Sequence, residues 1–178
     1  MEPYTRKTER VREVLTGEVR TESAGTIMLV SALGSCIAVV MLDPLVRIGG
    51  IAHVMLPGKC RQEGHADRFR YADDAITELL SQMLRKGAKI EDLVVCLAGA
   101  GNVLQRPEDS ICSLNIEAVS EVLSRLGLTV SAQSLGGVQR RSVRLDIAAG
   151  TVLYSEGGGK FSVLFGQAPI MQWGKKLC

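Results

Sequence analysis

Two stretches with helical periodicity, set among short apolar strands, constrain the fold of this 178-residue chain more than any other feature. The first stretch ends at Lys86-Gly87, a helix-stop signal. The second starts at Asn115, a predicted N-cap, and stops at Gly127. Their apolar residues recur at i, i+3 and i+4 spacing: Ala72, Ala75, Ile76, Leu79, Leu80 and Met83, then Ile116, Val119, Val122, Leu123 and Leu126. The two patterns predict two helices, each burying one face.

Short apolar and β-branched runs surround these helices. They predict strands at residues 26–31, 37–42, 48–55, 93–97, 128–132, 142–147, 152–154 and 161–165, with a hairpin turn at Ala149-Gly150. Many strands with two helices are typical of an α+β fold. We predict β-sandwich-like strands with the two main helices packed on one face. Residues 1–15 form a charged N-terminal segment, 16–165 a single domain and 166–178 a C-terminal tail.

Composition excludes several classes of function. Apolar residues make up 46% and charged residues 22% of the chain, as in ordinary globular domains. The net charge of +2 is too small to predict a nucleic-acid partner, and no apolar run approaches membrane-spanning length, so we predict no membrane insertion. Five cysteines, an odd number at irregular spacing, predict no disulfide framework and indicate a reducing cytoplasm.

We predict neither a metal nor a cofactor. Cys36, His53, Cys60 and His65 lack the spacing of a zinc site. The glycine-rich runs at residues 97–102 and 157–160 lack the remaining features of nucleotide- or phosphate-binding loops, and tight turns explain them better.

One cysteine and one histidine are the candidate catalytic residues. Cys36 follows a Gly34-Ser35 turn, and His53 lies in an apolar strand. A thiol and an imidazole are the minimum parts for nucleophilic acyl chemistry, since the imidazole accepts the thiol proton and later returns one. Residues 37–51 predict two antiparallel strands that bring the pair together, and turn N–H groups are suited to holding an oxyanion. Without such a context, a packed cysteine and a satisfied core histidine are the ordinary alternatives.

The motifs around these two residues resemble the CheD family of chemoreceptor glutamine deamidases. The resemblance rests on Leu-Gly-Ser-Cys at 33–36, Asp-Pro at 43–44 and Ala-His-Val-Met-Leu-Pro at 52–57. Tyr-Ala-Asp at 71–73, the Ala-Gly-Ala turn at 98–100, Asn-Ile at 115–116, and Gly-Gly at 136–137 with Arg-Ser-Val at 141–143 support it. Family members carry a threonine, assigned as a third catalytic residue, five or six positions before the cysteine. Here those positions are Ser31 and Val30.

The resemblance implies a protein-glutamine deamidase with Cys36 as nucleophile, His53 as base, Ser31 as the third catalytic residue and Gly34-Ser35 as the oxyanion turn. It implies methyl-accepting chemoreceptors as substrates and a CheC-type chemotaxis phosphatase as a partner. Two alternatives stay open. The first is a non-catalytic receptor- or phosphatase-binding module of the same fold, which Val30, Ser31 and Val138 favour. The second is a cysteine hydrolase of a different amide or ester.

Overall fold

In the computed structural model, the described residues are 10–62, 64–107 and 110–166. Most of the charged N-terminal segment (residues 1–9) and the tail beyond residue 166 lie outside them. Within this part of the chain, two five-stranded sheets stack on each other. The outer sheet has the order β1 (Arg10–Glu13), β3 (Thr26–Leu33), β8 (Arg141–Asp146), β9 (Thr151–Glu156), β10 (Ser162–Phe165); the central sheet has the order β2 (Val19–Ser23), β5 (Ile48–Val54), β4 (Ile37–Asp43), β6 (Val94–Gly99), β7 (Val130–Leu135).

The two helices cover the face of the central sheet that points away from the outer sheet. They are α1 (Ala72–Arg85) and α2 (Ile111–Arg125), and short 3-10 turns occupy Arg68–Arg70 and Ile90–Asp92. The predicted α+β sandwich with two helices on one face is therefore confirmed. Over the described residues, neither helix is long and apolar enough to cross a membrane.

The central sheet is buried on both faces, and β4 shows why its sequence is a continuous apolar run. Ile37, Val39 and Met41 belong to the core beneath the helices. The intervening residues, Ala38, Val40 and Leu42, belong to the core between the sheets. A strand covered on both sides needs apolar residues at every position, unlike an edge strand that faces water.

Two consecutive glycines in β5 let both neighbouring layers approach the central sheet. A Cβ on Gly49 would lie 2.9 Å from side-chain atoms of Leu145 and Ile147 in or beside β8. A Cβ on Gly50 would lie 2.6 Å from Leu79 of α1. β5 runs unbroken through both glycines. Because these residues lack side chains, α1 and the outer sheet can pack close to the β5 backbone.

The predicted start of the second helix is wrong. The helix begins at Ile111, so Asn115 lies inside it rather than capping it, and its side chain is fully buried. The Asn115 amide binds backbone carbonyls of two other segments, and these tertiary contacts outweigh its preference for a cap. β1 and β2 were not predicted, because their polar and half-exposed residues carry no apolar signal.

Candidate active site

The pairing of β4 with β5 places Cys36 and His53 on the same side of the central sheet, at neighbouring positions. Ala38 lies directly opposite His53, and Cys36 precedes Ala38 by two residues. Because side chains alternate along a strand, Ala38 and His53 point toward the outer sheet, and Cys36, just before β4, packs against the core on that same side. Diagonal neighbours of this kind are about 7–8 Å apart at the backbone, a distance within reach of an aromatic side chain such as the imidazole. The antiparallel arrangement predicted for residues 37–51 is confirmed.

His53 is held by a segment that was not predicted to matter. The imidazole is 5% exposed, and its Nδ1 lies 3.4 Å from the carbonyl oxygen of Val14. A carbonyl can only accept a hydrogen bond, so this contact assigns the proton to Nδ1 and leaves Nε2 free to accept one. The main chain of His53 is also tied to Glu18 and Gly17, at 3.0 Å each. The residues that follow β1 thus orient the candidate base.

Burial sets the resting protonation of both groups. It lowers the pKa of His53, only partly opposed by the Val14 carbonyl. It raises the pKa of the Cys36 thiol, and the nearby Cys112 thiol acts in the same direction. Both groups are therefore neutral near pH 7, and the structure favours no preformed thiolate–imidazolium pair. If Cys36 attacks a carbonyl carbon, proton transfer from sulfur to nitrogen must accompany the attack.

The cysteine turn is clamped by the backbone of residues 99–101. The N–H of Ala100 donates to the carbonyl of Cys36, and the N–H of Gly101 donates to the carbonyl of Gly34, each at 2.8 Å. In the part of the chain that the structure describes, the N–H groups of Ser35 and Cys36 donate to no acceptor of another residue. This leaves them available to an incoming oxyanion.

Gly99 permits this close approach. Its φ is +128°, and a Cβ there would lie 2.1 Å from the carbonyl oxygen of Cys36. The position therefore excludes every residue with a side chain unless the cysteine turn moves.

Arg141, from the Arg-Ser-Val motif at 141–143, holds the backbone clamp of residues 99–101 in place through hydrogen bonds. Its buried guanidinium donates to the carbonyls of Gly99 at 3.3 Å and Gly136 at 2.6 Å. It also donates to Ser134 at 2.8 Å and pairs with Glu156 at 3.0 Å. The arginine fixes the two glycine turns relative to each other, and so acts on the cysteine turn through its neighbours.

The structure does not bring Ser31 to the imidazole. The ladder between β3 and β8 shifts after Val30, and Ser31 and Ala32 are both exposed there. Val30 takes the inward position and packs in the core between the sheets. Among the described residues, Ser31 makes no hydrogen bond to His53 or Cys36, so its catalytic role stays a prediction from the sequence.

The remaining cysteines and histidine occupy distinct places. Cys112, near the start of α2, lines a pocket of about 200 Å³ together with Gly34 and Ser35. Cys60 and His65 line a separate, more open cleft of about 800 Å³ between residues 56 and 71. Cys96 is fully buried in β6, and burial raises the pKa of its thiol to about 12. Among the cysteines that the structure describes, Cys36 is the one that follows the Gly34-Ser35 turn and lies on the same side of the central sheet as His53.

A half-buried thiol just before β4 and a buried imidazole on β5, with a backbone clamp at the cysteine turn, make a candidate cysteine–histidine site on an α+β sandwich. The comparisons with known proteins agree with that class. The family described as CheD chemotactic sensory transduction matches residues 55–156. The chain belongs to the CheD family.

Its curated relatives cover most of the chain. It is 36% identical over 150 residues to the "Probable chemoreceptor glutamine deamidase CheD" of Chlorobium luteolum, covering 84% of this chain and 75% of that protein. It is 35% identical over 146 residues to the "Chemoreceptor glutamine deamidase CheD" of Thermotoga maritima, covering 80% of this chain and 90% of that protein. A solved structure, the hypothetical protein YfiH of Bacillus licheniformis, aligns with a TM-score of 0.42 and 12% identity, covering 74% of this chain and 60% of that protein. This likeness is too weak to inform the fold or the function.

Proposed function

We propose that this chain is a cytoplasmic deamidase that converts glutamines of methyl-accepting chemoreceptors to glutamate, with Cys36 as the nucleophile and His53 as the base. The observation that supports the assignment is that Ala38 lies opposite His53 in the strand register, while Cys36, two residues earlier, packs on the same side of the sheet. The names of its relatives supply the reaction and the substrate class.

The first half of the reaction forms a thioester and releases ammonia. Nε2 of His53 accepts the proton of the Cys36 thiol while Sγ attacks the carboxamide carbon of the glutamine. The carbonyl oxygen becomes an oxyanion, which the N–H groups of Ser35 and Cys36 hold. The imidazolium then donates its proton to the amide nitrogen, the carbon–nitrogen bond breaks, and ammonia leaves.

The second half restores the thiol. His53 accepts a proton from water, whose oxygen attacks the thioester carbon. The carbon–sulfur bond breaks, the imidazolium returns the proton to sulfur, and glutamate is released. Because Nδ1 of His53 stays against the Val14 carbonyl, the same nitrogen, Nε2, serves both halves.

Two features adapt the site to a protein substrate. The pocket lined by Gly34 and Ser35 has a volume of about 200 Å³, a size that suits a single side chain next to the cysteine turn. Ser31 is exposed and five residues before the nucleophile, so we assign its hydroxyl to the substrate amide rather than to His53. A CheC-type phosphatase is the proposed partner, on the family resemblance alone.

One observation favours a second candidate, a non-catalytic module that binds receptor or phosphatase. Val30 occupies the inward position where a hydroxyl would meet the buried site, and it offers no hydrogen-bonding group. A module of this kind would bind a receptor fragment without changing its mass.

The test is deamidation of a purified chemoreceptor fragment, followed by mass spectrometry of its peptides. The parent chain converts specific glutamines, Cys36→Ala and His53→Ala convert none, and Cys96→Ala, a thiol control outside the site, retains the activity. Near-parent activity in Cys36→Ala contradicts the nucleophile assignment. Binding without conversion by the parent chain supports the non-catalytic module instead.

A further inference from the structure

A buried amide side chain links the two proposed catalytic segments. Asn115 lies within α2, on a helix face that otherwise presents aliphatic residues to the core beneath the helices. Its side chain is 0% exposed, so it cannot contact a bound receptor directly. A polar residue in this position needs a reason, since buried polar groups are retained only where they are hydrogen-bonded.

The contacts of Asn115 supply that reason. Its Nδ2 donates to the carbonyl of Ser35 at 2.9 Å and to the carbonyl of Met55 at 3.0 Å. Ser35 directly precedes the nucleophile, and Met55 follows His53 by two residues. The acceptors lie 80 and 60 positions away along the chain, so this one amide group spans three distant segments.

The geometry also fixes which way the amide points. Both partners are carbonyls, which only accept, so the nitrogen must face them. The oxygen, Oδ1, then has no hydrogen-bond partner among the described residues, although it is buried. An unsatisfied buried acceptor opposes folding. Asn115 therefore combines one unsatisfied acceptor, Oδ1, with two hydrogen bonds donated by Nδ2.

We propose that Asn115 is a positioning residue of the deamidation, holding the cysteine turn at a fixed separation from the end of the histidine strand. The inference rests on the proposed roles of Cys36 and His53. Without the amide, the carbonyls of Ser35 and Met55 lose their common donor, and the two segments are no longer held to each other through α2. A misplacement of the order of 1 Å between reacting groups lowers turnover by roughly a hundredfold.

The experiment compares Asn115→Ala with a matched control, Asp43→Ala. Asp43 is equally buried and accepts hydrogen bonds from the N–H groups of Leu45, Val46 and Lys89 at 3.0–3.2 Å. It lies at the opposite end of β4, away from the site. Melting temperature, kcat and KM are measured for each variant on a purified receptor fragment, at a temperature where all variants are folded.

Both variants should melt at lower temperature, but only Asn115→Ala should lose kcat, by tenfold to a hundredfold, with KM changed less than about twofold. Asn115→Asp is the second variant and keeps the side-chain shape. A carboxylate donates nothing, whereas a protonated carboxyl donates one hydrogen bond. Its kcat relative to the parent at the same pH should therefore rise as the pH is lowered, a signature that destabilisation alone does not produce.

Three results separate the possible failures. Parent-like kcat in folded Asn115→Ala overturns the positioning role. Equal loss of kcat in Asp43→Ala also overturns it, because the effect is then general destabilisation. If Cys36→Ala remains active, the proposed catalytic assignment fails, and the role of Asn115 fails with it; if Cys36→Ala is inactive and Asn115→Ala is not, only the inference about Asn115 is wrong.

Discussion

Replacing Gly99 with alanine should inactivate the site while leaving the fold intact. A Cβ at this position would lie 2.1 Å from the carbonyl oxygen of Cys36, whereas real Cβ atoms essentially never come within 3.0 Å of such an atom. The oxygen must therefore retreat by about 0.9 Å. That movement breaks the 2.8 Å hydrogen bond from Ala100 and carries the nucleophile with it.

The magnitude follows from that displacement. A shift of about 1 Å in a reacting group lowers turnover by roughly a hundredfold, equivalent to about 2.7 kcal/mol on the barrier at 1.36 kcal/mol per tenfold. The positive φ of Gly99 adds backbone strain of about 1–3 kcal/mol to any residue with a side chain. This strain affects stability, and the displacement affects kcat.

Gly87→Ala separates the two effects. Gly87 follows α1 at φ +98°, and a Cβ there meets nothing within 4 Å. It should lose a similar amount of stability and keep the parent kcat for deamidation of a receptor fragment. Thermal melting and single-turnover mass spectrometry on both variants provide the measurement. A Gly99→Ala protein with parent-like kcat would refute the reasoning, because the nucleophile would then tolerate the displaced turn.

Three further outcomes are expected. Burial raises the pKa of the Cys96 thiol from 9.0 to about 12, so the unfolded chain loses this proton first as the pH rises. Between pH 8 and pH 10, the parent should therefore lose about 1.4 kcal/mol more stability in urea unfolding than Cys96→Ala does. Burial lowers the pKa of His53, so the stability that its neutral form contributes is complete above the unfolded pKa of about 6.5 and is lost as the pH falls from there toward the folded pKa. In His53→Gln, the free energy of unfolding should therefore fall less steeply below pH 6.5 than in the parent. An identical pH dependence in the two proteins would contradict the burial argument. Ser31→Ala should lower turnover on a receptor fragment about tenfold while Ser31→Thr retains it, and equal rates for Ser31→Ala and the parent would remove Ser31 from the mechanism.

The sequence predicts those parts of the fold that depend on apolar patterning. The face of α1 and the runs of β4 and β6 are buried on the expected sides, because apolar periodicity and burial have the same physical cause. β1 and β2 are not predicted, because they are edge strands with exposed polar residues and so lack an apolar pattern. Backbone hydrogen bonds hold them in the sheets, and almost any sequence can form such bonds. The start of α2 was misplaced because a buried asparagine resembles a cap until its tertiary partners are known.

In the candidate site, too, only the groups that depend on a particular side chain can be predicted from the sequence. Cys36 and His53 are recognisable because their chemistry lies in their side chains. The groups that hold them are mostly backbone: the carbonyl of Val14, the N–H groups of residues 100 and 101, and the carbonyls that Asn115 joins. A carbonyl or an N–H is present at every position, so no residue type marks it. Gly99 is an exception, because a backbone position that only glycine can occupy is marked by the residue type itself.

Neutrality of the resting site has a consequence for its reactivity. Thiolate, not thiol, reacts with alkylating agents, and burial both raises the pKa of Cys36 and restricts access to it. Burial therefore disfavours the form of the proposed nucleophile that reacts with small electrophiles. The same low-dielectric surroundings strengthen the hydrogen bonds from the Ser35 and Cys36 N–H groups to an oxyanion. A carboxamide seated against those donors gains a stabilised oxyanion as the proton moves to His53, whereas an alkyl halide in the same place develops no oxyanion. Under the proposed roles of Cys36 and His53, the arrangement thus favours reaction with a docked amide over nonspecific modification of the thiol.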